Sequence, residues 1–260
     1  MDEDLGRFEK LEGIIARLRA PDGCPWDRKQ THASLKPYLI EEAYEVLQAL
    51  DTGDRAKLCE ELGDLLLQIL LHAQIGKEAG EFDMSDVIRG IAAKLIRRHP
   101  HVFGGAVAGS VEEVAQEWEM LKEEERDAGD SLLSGVPREM PALSYSHSIQ
   151  RRAAGVGFDW REPDGVLEKL AEEVGELERA GTQQEKVREF GDVLFSLVNV
   201  ARWQDLNLEE ALRLANERFC RRFRYMEDRC REKGISLRDL SFEEQNALWD
   251  RAKEETGAGL

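Results

Sequence analysis

Apolar and polar positions recur along this chain with the period of an α-helix. Leu35, Leu39, Val46 and Ala49 fall at i, i+4, i+11 and i+14, a spacing that places them on one helix face. Leu167, Leu170 and Leu177 repeat the arrangement further along. From 187 to 201 the chain reads VREFGDVLFSLVNVA, apolar on most faces, and predicts a largely buried helix. Prolines stand at 21, 25, 37, 100, 137, 141 and 163. The stretches 38–99 and 164–260 therefore lack the residue that breaks helix interiors, and both are rich in Leu, Ala, Glu, Lys and Arg, which favour them. Alternating β-branched runs joined by hairpin turns are absent. The predicted fold is all-α.

The chain also repeats itself. LIEEAYEVLQAL (39–50) is matched by LAEEVGELERA (170–180), and CEELGDLLLQILLHAQ (59–74) by REFGDVLFSLVNVAR (188–202). AAKLIRRHPHVF (92–103) is matched by NERFCRRFRYME (216–227), and EWEMLKEEE (117–125) by LWDRAKEE (248–255). Four of the five tryptophans fall into corresponding pairs, Trp26 with Trp160 and Trp118 with Trp249. Gly, Pro and Ser concentrate around 127–147, the composition of a connection. Two tandem homologous helical domains follow, at 1–128 and 148–260, joined by a linker at 129–147.

Within this apolar pattern, certain carboxylates stand where core residues belong. Glu42 occupies the position that continues the Leu35 stripe, and Glu173 does the same beside Leu170 and Leu177. In the second helix of the later repeat, Glu189, Asp192, Ser196 and Asn199 follow one another at intervals of three or four, one polar line on an otherwise apolar helix. An isolated Glu-x-x-Glu is usually solvated surface. Ionised carboxylates that face a helical core are costly unless they are paired or hold a cation. Each repeat offers four such oxygen donors: Glu42, Glu45, Glu61 and Asp64, then Glu173, Glu176, Glu189 and Asp192. Hard oxygen donors suit Mg²⁺, with Mn²⁺ as a substitute. A di-iron carboxylate bundle is the rival, but it uses Glu-x-x-His, and Glu61 and Glu189 are each followed at i+3 by Asp. Glu41 and Glu172, adjacent to the sets, are candidate outer-shell groups or general bases.

A basic segment trails each acidic set. Lys94 and Arg98 are i, i+4 neighbours, as are Arg218 and Arg222, and cations so placed can grip phosphate oxygens. Trp249 with Lys253, mirrored by Trp118 with Lys122, offers a ring to stack on a base and a cation for phosphate, although a tryptophan in an amphipathic helix is more often a core anchor.

The net charge is −17, which argues against polymeric nucleic acid or an anionic membrane as partner, while a metal ion can still carry a small anionic ligand. Cys24, Cys59, Cys220 and Cys230 have neither metal-ligand nor dense disulfide spacing, which fits reduced thiols. No signal peptide or membrane span is evident, so a cytoplasmic protein is expected.

The motifs GCPWDRKQTH (23–32), EEAYE…EELGD (41–64), RRHPHVFGG (97–105), GVGFDW (155–160), EEVGE…EFGD (172–192) and NERFCRRF (216–223) together resemble the MazG family of nucleoside triphosphate pyrophosphohydrolases in its long, two-repeat form. The resemblance spans nearly the whole chain. It implies an all-α NTP pyrophosphatase fold with four-helix cores completed by homodimerisation. It also implies Mg²⁺-dependent cleavage of NTPs and dNTPs to monophosphate and pyrophosphate, by water attack at the α-phosphate. Carried over residue by residue, it makes Glu173, Glu176, Glu189 and Asp192 metal ligands, with Glu172 beside them. Lys169, Arg218, Arg222 and Lys253 become phosphate contacts and Trp249 the nucleoside contact. Arg218 stands where the family pattern leads one to expect lysine.

The copies are unequal: Asn199 in the second corresponds to Leu71 in the first, which loses a polar group beside its site. The second domain is therefore expected to be the main catalyst, with Asn199 among its substrate contacts. Lys94, Arg98, Trp118 and Lys122 are the counterparts in the first. Two alternatives stand beside this reading, a hydrolase restricted to pyrimidine or modified dNTPs and a non-catalytic nucleotide-sensing scaffold.

Overall fold

The computed structural model describes residues 5–105, 109–124, 129 and 131–257. Among these residues there is no strand, and no helix is long and apolar enough to cross a membrane. The chain divides into two compact units, Met1–Lys122 and Glu123–Leu260.

The first unit holds α1 (Phe8–Arg19), α2 (Pro25–Lys29), α3 (His32–Thr52), α4 (Arg55–Ala79), α5 (Met84–Arg98), α6 (Pro100–Phe103) and α7 (Val111–Glu124). Its centre is the pair α3 and α4, with α1 and α5 laid against α4. A reciprocal cap starts α3: Thr31 Oγ1 accepts from the Ser34 amide at 3.2 Å, and Ser34 Oγ accepts from the Thr31 amide at 2.9 Å. The helix therefore begins upstream of the proline-free stretch and carries Pro37 inside it, at the cost of one backbone bond near its first turns. Gly53, at φ +66°, ends α3 in the left-handed region, and the Asp54 carboxylate caps α4 on the amides of Ala56 and Lys57. Ile15, Leu35, Leu70, Leu71, Ala73 and Met84 form the buried core. Arg19, nearly buried, ties the corner together by pairing with Glu78 at 2.8 Å and donating to the carbonyl of Gln30 at 3.2 Å.

The second unit holds α8 (Ala142–Gly155), α9 (Pro163–Arg179), α10 (Gln183–Trp203), α11 (Leu208–Glu232), a 3₁₀ turn at Leu237–Asp239 and α12 (Phe242–Glu255). α9 lies along α10, α8 packs on α10 and α11, and α12 packs on α11. Proline stands at N1 of α9, where its missing N–H costs nothing, and a Thr182–Glu185 capping box opens α10. The segment read as a linker turns helical from Ala142 onward. There the Ser144 amide donates to the Glu209 carboxylate at 3.2 Å and fastens α8 to α11. Val166 of α9 and Val198 and Ala201 of α10 are buried. Met226, Cys230, Leu248 and Ala252 form a second buried cluster.

Candidate active site

The α3–α4 pair and the α9–α10 pair are the scaffolds that carry the carboxylates. In the first unit, Glu42 and Glu45 lie one turn apart on α3 and face Glu61 of α4. One carboxylate oxygen from each lies within 4.8 Å of the others. Glu61 is 1% exposed and pairs with Lys57, one turn earlier on the same helix. Burial, then the Asp64 and Glu61 carboxylates, push the Glu42 carboxyl above its ordinary range, and a hydrogen bond with Gln68 opposes the rise. Glu61 pushes the Glu45 carboxyl up in the same way. Asp64 stands outside the tight group but acts on Glu42 through its charge.

In the second unit the corresponding group is Glu173, Glu189 and Asp192, again with oxygens within 4.8 Å of one another. Glu173 and Glu189 are buried and Asp192 is exposed; Glu176, one turn along α9, lies outside the tight group. Lys169 bridges Glu173 at 2.8 Å and Glu172 at 3.2 Å, which holds its ammonium above the usual lysine range. Arg188 pairs with Glu189, its Nε 3.0 Å from Oε1. Buried carboxylates this close repel one another, and every grouped donor is a hard oxygen. The set therefore fits a small divalent cation, with the lysine and arginine as partial neutralisers.

Comparison with known proteins bears on the same helices. The MazG nucleotide pyrophosphohydrolase domain matches residues 30–103, which include α3, α4 and the first acidic set. The chain is 47% identical to the nucleoside triphosphate pyrophosphohydrolase/pyrophosphatase MazG of Thermotoga maritima, over 95% of each chain. The chain belongs to the MazG family. It is also 42% identical to the nucleoside triphosphate pyrophosphohydrolase of Escherichia coli K12, over 96% of this chain and 98% of that one. A crystal structure of a MazG-related protein from Thermotoga maritima matches 44% of this chain and 98% of its own at 32% identity, with a TM-score of 0.39.

In this MazG chain the basic and aromatic residues form groups of their own. Arg222 stands over the Trp249 ring, 5.9 Å from its centroid, and Phe219 lies 5.3 Å from the same ring. Trp249 packs against the buried cluster of α11 and α12, so it is a core anchor on one side and a cation partner on the other. Arg218 shares α11 with Arg222, one turn earlier, and Lys253 pairs with Asp250 at 2.8 Å. The first unit repeats the motif: Arg98 stands over Trp118 at 5.7 Å, and His99 meets that ring edge-on at 4.7 Å. Lys94 is exposed one turn before Arg98. Lys122 lies in α7, and its side chain is outside the described residues.

Several participants escaped the sequence reading. Lys57 and Arg188 were visible as cations at i−4 and i−1 of a cassette glutamate, yet only the folded geometry shows them on those carboxylates. Gln68 continues the line Glu61, Asp64 at helical spacing, as Ser196 does after Asp192, so its signal was present. It is 5% exposed, and its Oε1 has no hydrogen-bond partner. Asn199, 4% exposed, accepts from Arg202, which in turn pairs with Asp159. This link spans α8–α9 loop and α10 and has no counterpart in the repeat pattern.

Proposed function

We propose that this MazG chain hydrolyses nucleoside triphosphates to monophosphate and pyrophosphate, with Mg²⁺ held by Glu173, Glu176, Glu189 and Asp192. The observation that carries the reading is the pair of buried glutamates, Glu173 and Glu189, placed with Asp192 within 4.8 Å across two helices. Three carboxylates this close are unfavourable unless cations offset them; Lys169 and Arg188 supply two, which leaves negative charge for a metal ion to meet. The names of the Thermotoga maritima and Escherichia coli relatives support the substrate class. A bound divalent cation would polarise the phosphate and lower the pKa of its water. Lys169, now bonded to Glu172 and Glu173, would turn to phosphate oxygens once a cation takes over those carboxylates. Arg218, Arg222 and Lys253 are the further cations assigned to the phosphates, Trp249 is the ring for the nucleoside, and Glu172 is the candidate base. The first set, Glu42, Glu45, Glu61 and Asp64, is assigned a weaker or differently selective site.

Broad tolerance among NTPs and dNTPs, a cytoplasmic setting and homodimerisation complete the proposal. Support for the dimer comes from apolar side chains left in water on the cassette helices, among them Tyr44, Leu47, Phe190 and Leu194. Phosphorus NMR of a mixed NTP reaction with Mg²⁺ tests the function. Monophosphate and pyrophosphate are expected from several bases. Selective loss of dUTP or dCTP alone would favour the pyrimidine-restricted alternative, and no turnover at all would favour the sensing scaffold.

A further inference from the structure

Asn199 lies two turns beyond Asp192 on the polar line of α10, about 10 Å further along the helix axis. A nucleotide whose phosphates lay at the carboxylates and whose nucleoside ran along this line would reach Asn199. Its Oδ1 accepts from Arg202 Nε at 3.1 Å and from Nη2 at 2.9 Å. A guanidinium has donors only, so these contacts settle which end of the amide faces Arg202. The Nδ2 hydrogens point elsewhere, and among the described residues no acceptor takes them.

Arg202 is itself held rigidly. Asp159 accepts from its Nη1 at 2.9 Å and its Nη2 at 2.5 Å, and the same carboxylate accepts from Trp203 Nε1 at 3.1 Å. The Arg202 and Asp159 side chains are 13% and 21% exposed, so water competes weakly for the pair. The first unit has Leu71, Gln74 and Ile75 where the second has Asn199, Arg202 and Trp203. The whole arrangement is therefore a property of the second unit alone, the one with the larger complement of cations at its carboxylates.

We propose that Asp159 and Arg202 are positioning residues: they fix the Asn199 amide so that Nδ2 donates to an acceptor on the nucleoside, a ribose oxygen or a base carbonyl. This rests on the nucleotide reading given above. Arg202 offers donors only, so an amide rotated to face it with Nδ2 would find no acceptor there. Without Asp159 the guanidinium is free to swing, and Asn199 loses its preset orientation.

A double-mutant cycle on the full chain tests it, with Asp159→Asn, Asn199→Leu and the double variant. Two quantities are followed with Mg²⁺, steady-state ATP hydrolysis and the Kd of a non-hydrolysable ATP analogue. Asp159→Asn should weaken affinity about tenfold, as loss of a supporting partner does, with the loss in KM rather than kcat. In the Asn199→Leu background the same change should cost nothing further. Arg202→Lys, which keeps the charge but not the fork, should behave like Asp159→Asn while circular dichroism confirms the fold. Multiplicative losses in the double variant, or an Asp159→Asn protein with unchanged affinity, would overturn the proposal. If wild type binds the analogue but turns nothing over, the catalytic reading fails while the affinity cycle still decides this one. If wild type does not bind the analogue, both fail.

Discussion

Glu173 and Glu42 are equivalent residues in unequal surroundings. Glu173 meets Lys169 from its own helix, and its neighbour across the pair, Glu189, meets Arg188. Glu42 has Gln68 as a neutral partner, with Lys57 serving Glu61 instead. Glu173→Gln is expected to lower NTP turnover by more than about a hundredfold, and Glu42→Gln to leave most of it; the reverse pattern in steady-state rates would move catalysis to the first unit. The surroundings of Glu42 also fix a pH dependence. Its carboxyl is held above the ordinary range by burial and by Asp64 and Glu61, so the folded protein keeps a proton that the unfolded chain has already released. Stability from this group is therefore highest at low pH and falls as pH rises through the raised value. In EDTA, Glu42→Gln should melt higher than wild type near neutral pH, and the difference should shrink towards about pH 4. With Mg²⁺ the order should reverse, because the cation then stabilises the ionised form. Thermal melts across pH with and without metal read both signs.

Helix ends and corners explain why these residues meet at all. Gly23 sits in the turn between α1 and α2, where an added Cβ would lie 2.2 Å from the Leu18 carbonyl oxygen. Gly23→Ala must displace backbone, and a loss of about 3 kcal/mol is expected in urea unfolding. The Thr182 hydroxyl, which caps the Glu185 amide at 3.2 Å, is a milder case: Thr182→Ala should cost about 1 kcal/mol by the same measurement. Helix-scale information of this kind was largely legible in the chain, because caps, prolines and apolar periodicity are local. Pro163 and Pro100 mark helix starts as their positions suggest, whereas Pro37 does not, since the Thr31–Ser34 cap starts α3 ahead of it. The clustered carboxylates were legible too, since a glutamate on an apolar stripe is a local anomaly. Their cation partners were not. Whether Lys57 or Lys169 reaches a carboxylate depends on rotamer and on the opposing helix, and Asp159 finds Arg202 across a loop and an entire helix pair.

The whole molecule is a duplicated helical module whose separate units bury little. The tight core of the first is built on Ile15, Leu35, Leu70 and Leu71 and that of the second on Met226, Cys230 and Leu248. Tyr44, Leu47 and Leu50 of α3 and Phe190, Leu194 and Phe195 of α10 remain substantially in water. Those side chains flank the acidic cassettes, so whatever covers them also dries and stiffens the carboxylates. The proposed second copy of the chain would satisfy this with the same surfaces on both sides, as two-fold assemblies do. The net charge of −17 opposes such pairing at low salt, which would give the proposed assembly a salt signature of its own. Dimerisation should strengthen with added salt, through screening, and with Mg²⁺, which neutralises the cassettes next to the apolar faces. Leu194→Glu, which puts a charge among the exposed apolar side chains of α10, should shift the protein to monomer and take turnover down with it while leaving its far-ultraviolet dichroism helical. Sedimentation equilibrium across salt and Mg²⁺ reads the association directly. A wild-type protein that stays monomeric at tens of micromolar in Mg²⁺ would mean that each unit works with its apolar faces open to water.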